Sequence, residues 1–104
     1  MRLSEYQKQA MTYRLPSSNY HYAMLNLAAE VGEVLSLEAK AIRDGCNYAE
    51  YLNNLEKELG DILWHIAAIA EDNDLDLSKI AELNIIKLES RKARNTIQGS
   101  GDNR

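Results

Sequence analysis

The chain has 104 residues, 45% hydrophobic and 27% charged, with a formal net charge of −4 and one cysteine. This size suits one domain around one core. Lone Cys46 excludes an internal disulfide and suits a reducing compartment, and the acidic balance argues against binding a nucleic acid polymer. Met1-Arg2-Leu3-Ser4-Glu5-Tyr6 has no apolar leader, and no run approaches the roughly 20 apolar residues of a membrane span, so the expected setting is the cytoplasm with no membrane contact. Charge is uneven along the chain. Residues 1–86 carry 7 Lys/Arg against 14 Asp/Glu, and residues 87–104 carry 5 against 2. An acidic body with a basic end suits a metal ion plus a polyphosphate, and also suits the ordinary preference of Lys and Arg for a helix C-terminus.

Helical patterning dominates, and period-two alternation is missing. Ser4-Glu5-Tyr6-Gln7 reads as a capping box opening a first helix to about Arg14. Leu15-Pro16-Ser17-Ser18-Asn19 breaks it with the only proline. A long second helix is expected from about Tyr20 to Arg43, with Ala23, Leu27, Val31, Val34, Leu35 and Ile42 as its stripe and Gly45 as its stop. The third runs from about Tyr48 to Glu71, with Leu52, Leu55, Leu59, Ile62, Leu63, Ile66 and Ile69 as its core face. After the turn Asn73–Asp76, a fourth helix starts near Leu77 or Ser78 and carries Ile80, Leu83, Ile86 and Leu88 toward Arg91. Residues 1–94 then make a single all-α, four-helix-bundle-like domain with antiparallel helices and short loops. Residues 95–104 form a polar, glycine-containing tail, either frayed or folded over phosphates.

Two carboxylate pairs fall inside helices where a core face is expected: Glu30-x-x-Glu33 and Glu58-x-x-Asp61. Residues three apart share a helix face, so each pair presents two acids together. Antiparallel packing of the second and third helices brings the pairs to similar heights. Four acids on facing helices require a compensating charge, and Mg²⁺, which prefers carboxylate and water oxygens, is the natural one. Gly32 and Gly60 lie within the pairs, and an interior helical glycine costs about 1 kcal/mol relative to alanine. Their placement suggests close helix approach or room for a ligand. Fully solvated acids and incidental glycines are the plainer alternative.

The segments Leu27-Ala28-Ala29-Glu30-Val31-Gly32-Glu33-Val34, Lys57-Glu58-Leu59-Gly60-Asp61-Ile62-Leu63-Trp64 and Asn84-x-x-Lys87-Leu88-x-x-Arg91 resemble, in order, the three motif blocks of the MazG-like, all-α nucleoside triphosphate pyrophosphohydrolases. The closing Arg91-Lys92-Ala93-Arg94 and Gly99-Ser100-Gly101-Asp102 are similar to the short, single-domain bacterial and phage members. The resemblance implies Mg²⁺, with Mn²⁺ as a substitute, on Glu30, Glu33, Glu58 and Asp61. It implies Lys87 on the triphosphate and Asn84 supporting the metal or phosphates. The implied reaction cleaves a nucleotide between its α- and β-phosphates to a monophosphate and pyrophosphate, trimming or cleaning a nucleotide pool. It also implies a homodimer or homotetramer with sites near or across the interface.

Around this core, Glu30 or Glu33 is the expected activator of water. Arg91 and Arg94 are candidate phosphate clamps, or else a solvated helix end. His21 and Asn26 are candidate base contacts. His65 and Trp64 follow Asp61 on the same helix and read first as core residues. Three other functions compete: a related all-α pyrophosphatase acting on dUTP or a phosphoribosyl nucleotide, a non-catalytic metal-binding helical interaction module, and a di-iron bundle. The last is weak, because neither His21 nor His65 has a glutamate three residues before it.

Overall fold

The computed structural model describes all 104 residues as four helices without a strand. They are α1 (Leu3–Met11), α2 (Tyr20–Asp44), α3 (Tyr48–Asp72) and α4 (Leu77–Ala93). Short polar side chains set most of the starts. Asn19 Oδ1 accepts from Tyr22 N, Asn47 Oδ1 from Glu50 N, and Asp76 Oδ1 from Ser78 N. Gly45, at φ 76°, ends α2 in a conformation that favours glycine. The second, third and fourth helices thus lie where periodicity places them.

The first helix differs. It opens two residues earlier than the expected capping box, with Arg2 in place of Ser4 at its N-cap, and stops at Met11 rather than Arg14. Glu5 accepts from Arg2 N at 3.2 Å, while Ser4 and Gln7 serve tertiary contacts. Ser4 N donates to Ser78 Oγ at 2.7 Å. Buried Gln7 donates to Leu75 O and Glu71 Oε2, both at 2.9 Å, and accepts from Leu77 N at 2.7 Å. One side chain therefore satisfies the backbone of the α3–α4 turn, where unpaired groups are costly. Arg14 leaves the helix to form a two-pronged pair with Asp72, at 2.7 and 2.8 Å.

The packed pairs are α2 on α3, α1 on α3, and α1 on α4. The buried apolar residues are Ala10, Ala23, Ala67, Ala68, Ala70 and Leu77, nearly all alanine, which allows close backbone approach. Trp64 Nε1 donates to Ala10 O at 3.2 Å and fixes α1 against α3. These contacts gather at the end of the hairpin where α2 begins and α3 ends. Elsewhere the expected stripes are not enclosed. Val31, Leu35, Ile42, Leu52, Leu59 and Ile66 are exposed, as are Ile80, Leu83, Ile86 and Leu88 on α4. The radius of gyration is 16.7 Å, against about 13 Å for a compact chain of 100 residues. One copy of the chain does not close the bundle that its periodicity anticipates.

Candidate active site

Antiparallel packing of α2 on α3 brings the two acidic pairs together. Glu30, Glu58 and Asp61 offer carboxylate oxygens that all lie within 4.8 Å of one another. Glu33 stands one turn further along α2, exposed and outside this tight group, yet its charge still acts on Glu58. Burial first, then the charges of Asp61, Glu33 and Glu30, hold the Glu58 carboxyl above its ordinary value. Such mutual repulsion is what a divalent cation relieves, and an all-oxygen donor set on two helices fits a hard cation. Gly32 and Gly60 border open space, since a Cβ at either position meets nothing within 4 Å. Within one chain they leave room and do not serve close helix approach.

A polar chain lies behind the acids. His65, buried on α3, donates from Nδ1 to Asp61 O at 2.8 Å, because a carbonyl can only accept. Its Nε2 then accepts from Asn26 Nδ2 at 2.9 Å, and the same amide donates to Glu30 Oε1 at 3.3 Å. Asn26 therefore faces the acidic group. His21 is exposed, with its ring edge-on to Tyr20 at 5.3 Å, and takes no part in the cluster.

Next to Asp61 lies an apolar cavity of about 270 Å³ between α1 and α3, lined by Met1, Tyr6, Gln9, Ala10, Tyr13 and Trp64. Tyr6 connects it to the acids: burial and then the charge of Asp61 raise its phenol pKa. The sequence marks Tyr6, Tyr13 and Trp64 singly as aromatics that could line a base pocket or pack at helix edges, and only folding joins them, since they come from distant parts of the chain. The signal that could have found it was Trp64, one turn after Asp61.

The cationic residues form a separate group on α4. Lys87 Nζ donates to Asp102 Oδ1 at 2.8 Å, and Arg91 Nη2 donates to Asp102 O at 2.7 Å and Oδ1 at 3.2 Å. Arg94 donates to Ser90 Oγ and Arg104 O, and Asn84 is exposed one turn before Lys87. The main packing of α4 is on α1, so the structure unites three of the four acids but keeps Lys87 and Arg91 in their own cluster with Asp102, with Asn84 and Arg94 on the same helix. Asp102, the partner that binds this cluster, is marked in the sequence only as the last residue of the Gly99-Ser100-Gly101-Asp102 segment.

This arrangement defines an all-α protein with a carboxylate cluster between two antiparallel helices. Residues 18–95 match the sequence profile of the MazG nucleotide pyrophosphohydrolase domain, and the chain belongs to that family. It is also 42% identical over 85 residues to the Gene 37 protein of Mycobacterium phage L5, covering 80% of this chain and 75% of the phage protein. No solved structure matches it. No helix is long and apolar enough to cross a membrane.

Proposed function

We propose that the chain is an Mg²⁺-dependent pyrophosphohydrolase that cleaves a nucleoside or deoxynucleoside triphosphate between the α- and β-phosphates. The observation carrying this reading is the convergence of Glu30, Glu58 and Asp61 within 4.8 Å, inside a stretch that matches the pyrophosphohydrolase domain. These three carboxylates, with Glu33 at the rim, would hold the cation, with Mn²⁺ as a substitute. A bound divalent ion supplies neutralisation of phosphate charge and a more acidic water. Asn26 orients Glu30 through its amide. Glu30 or the exposed Glu33 at the rim would accept a proton from the water that attacks the α-phosphorus. Pyrophosphate departs as the α–β phosphoanhydride bond breaks, and Lys87 of the partner subunit would offset its charge.

The cavity beside Asp61 supports a place for the base. Tyr6, Tyr13 and Trp64 offer aromatic faces, and Gln9 offers a hydrogen-bonding edge. Its volume of about 270 Å³ lies just below the range of ligand pockets, about 300–1,000 Å³, which suits a base rather than a whole nucleotide. The uncovered apolar faces of α4 and of the open end of the hairpin support a homo-oligomer, at least a dimer. In that assembly a second copy covers these faces and brings its cationic α4 toward the acids.

The test is product analysis with a panel of ribo- and deoxyribonucleoside triphosphates, dUTP included, and Mg²⁺. Monophosphate plus pyrophosphate is expected, and should be lost in Glu30→Gln and Glu58→Gln. Diphosphate plus phosphate would overturn the choice of bond. Metal-induced stabilisation without turnover of any nucleotide would favour a metal-binding interaction module.

A further inference from the structure

The last ten residues are a built element. After α4 the chain folds back through Asn95 at φ 57°, Gly99 at φ 118° and Gly101 at φ 87°. Arg104 is the hub, donating from Nε to Thr96 O at 3.1 Å, from Nη1 to Gly101 O at 2.7 Å and from Nη2 to Ile97 O at 3.0 Å. Arg94 holds the end by donating to Arg104 O at 2.9 Å. Glycine suits position 99 because its φ is positive, a conformation that side chains rarely adopt.

This fold returns Asp102 to α4, where it bridges Lys87 and Arg91. The two sides of the bridge differ sharply. The Arg91 side chain is 7% exposed, whereas that of Asp102 is 77% exposed. Arg91 Nε is buried without a hydrogen-bond partner. A buried guanidinium needs a counter-charge and prefers to use its whole donor fork. Asp102 supplies the charge but leaves Nε unmet. Lys87 first, then Arg91, hold the Asp102 carboxyl below its ordinary value, so it is ionised at neutral pH.

We propose that Asp102 is an internal anion standing in the Lys87–Arg91 site, and that a phosphate or pyrophosphate group takes the site by displacing it. This rests on the pyrophosphohydrolase reading for the identity of the ligand. A phosphate group has more acceptor oxygens than the one carboxylate oxygen engaged here, enough for Lys87, Arg91 Nη2 and the unmet Nε together. None of the Arg104 hub bonds uses the Asp102 side chain, so the carboxylate can leave while the loop stays folded. Gly101, with open space around it, adjoins the residue that must move. The carboxylate lowers the apparent affinity for the anion by occupying its place, as any competing closed state does.

The experiment is calorimetric titration of the full chain with inorganic pyrophosphate in EDTA, which takes the acidic cluster out of the measurement. Asp102→Asn should bind about tenfold more tightly than the unmodified chain. Asp102→Glu, which keeps the charge, should bind no more tightly than the unmodified chain, and adding Lys87→Ala to Asp102→Asn should abolish the gain. Equal or weaker binding by Asp102→Asn would overturn displacement and make Asp102 a positioning residue. Should Asp102→Asn disorder the loop, the ¹⁵N signal of Arg91 Nε in the unmodified chain decides: a shift on adding pyrophosphate supports the exchange, and its absence overturns it. Nucleotide turnover with unchanged Asp102→Asn affinity removes only this inference. A tenfold gain without turnover of any nucleotide removes only the enzymatic reading.

Discussion

The two ends of the α2–α3 hairpin are held in different ways. At the end capped by α1, alanines let the helices approach, and Gln7, Trp64, His65 and the Arg14–Asp72 pair join the elements through specific hydrogen bonds. At the other end, around the Gly45 turn, Leu35 and Ile42 are 65% and 77% exposed, and α4 displays a similar uncovered face. The chain therefore completes one end of its core by itself and leaves the other apolar. The hydrogen-bonded packing is concentrated at the first end, and the proposed self-association would use the second.

The largest effect should come from the closed end. Gln7→Ala leaves Leu77 N and Leu75 O without their partner, and should cost about 3 kcal/mol in urea unfolding. If the α3–α4 turn is instead an independent unit, the loss will be small.

Next is Ile86→Asp on α4. Ile86 is 52% exposed in one copy, so a lone chain should tolerate the charge. In an assembly it should cost about 2 kcal/mol of association, roughly thirtyfold in the dissociation constant. Sedimentation at graded concentrations reads this directly, and unchanged self-association would mean that this face is not the interface.

Smaller, and sharper about the site, is Gly60→Ala. In open space the methyl group should raise stability by about 1 kcal/mol through helix propensity alone. A loss instead of a gain would show that a partner helix or a ligand closes over this turn.

The last prediction turns on sign. Glu58→Gln removes a repelled carboxylate, so the metal-free variant should melt above the unmodified chain at neutral pH. A raised folded-state pKa contributes stability that is present below the unfolded value, about 4.3, and is lost as pH rises through the folded one. The two melting temperatures should therefore converge as pH falls through that window. Mg²⁺ should raise the melting temperature of the unmodified chain only, and an equal rise in both would place the cation elsewhere.

Much of this was legible in the sequence because it depends on local chemistry. Three long helices follow from apolar spacing between Asn19, Gly45, Asn47 and Asp76, which act as local start and stop signals. The meeting of Glu30, Glu58 and Asp61 follows from three-residue spacing and one antiparallel turn. What lay beyond reach depended on distant partners. Gln7 abandons a capping box because the backbone of residues 75–77, brought to it only by folding, offers stronger satisfaction. Asn26 turns toward Glu30 because His65, from another helix, supplies an acceptor beside it. The stripes on α2, α3 and α4 look like core residues in one dimension, since periodicity records that a face is apolar and is silent on which chain covers it. By itself the sequence determined the helices, the family and the acidic cluster, all products of short-range spacing. Only the tertiary structure decided which apolar faces stay open, and that the cationic end of α4 is met by the chain's own Asp102, because both depend on how helices far apart in sequence are placed in space.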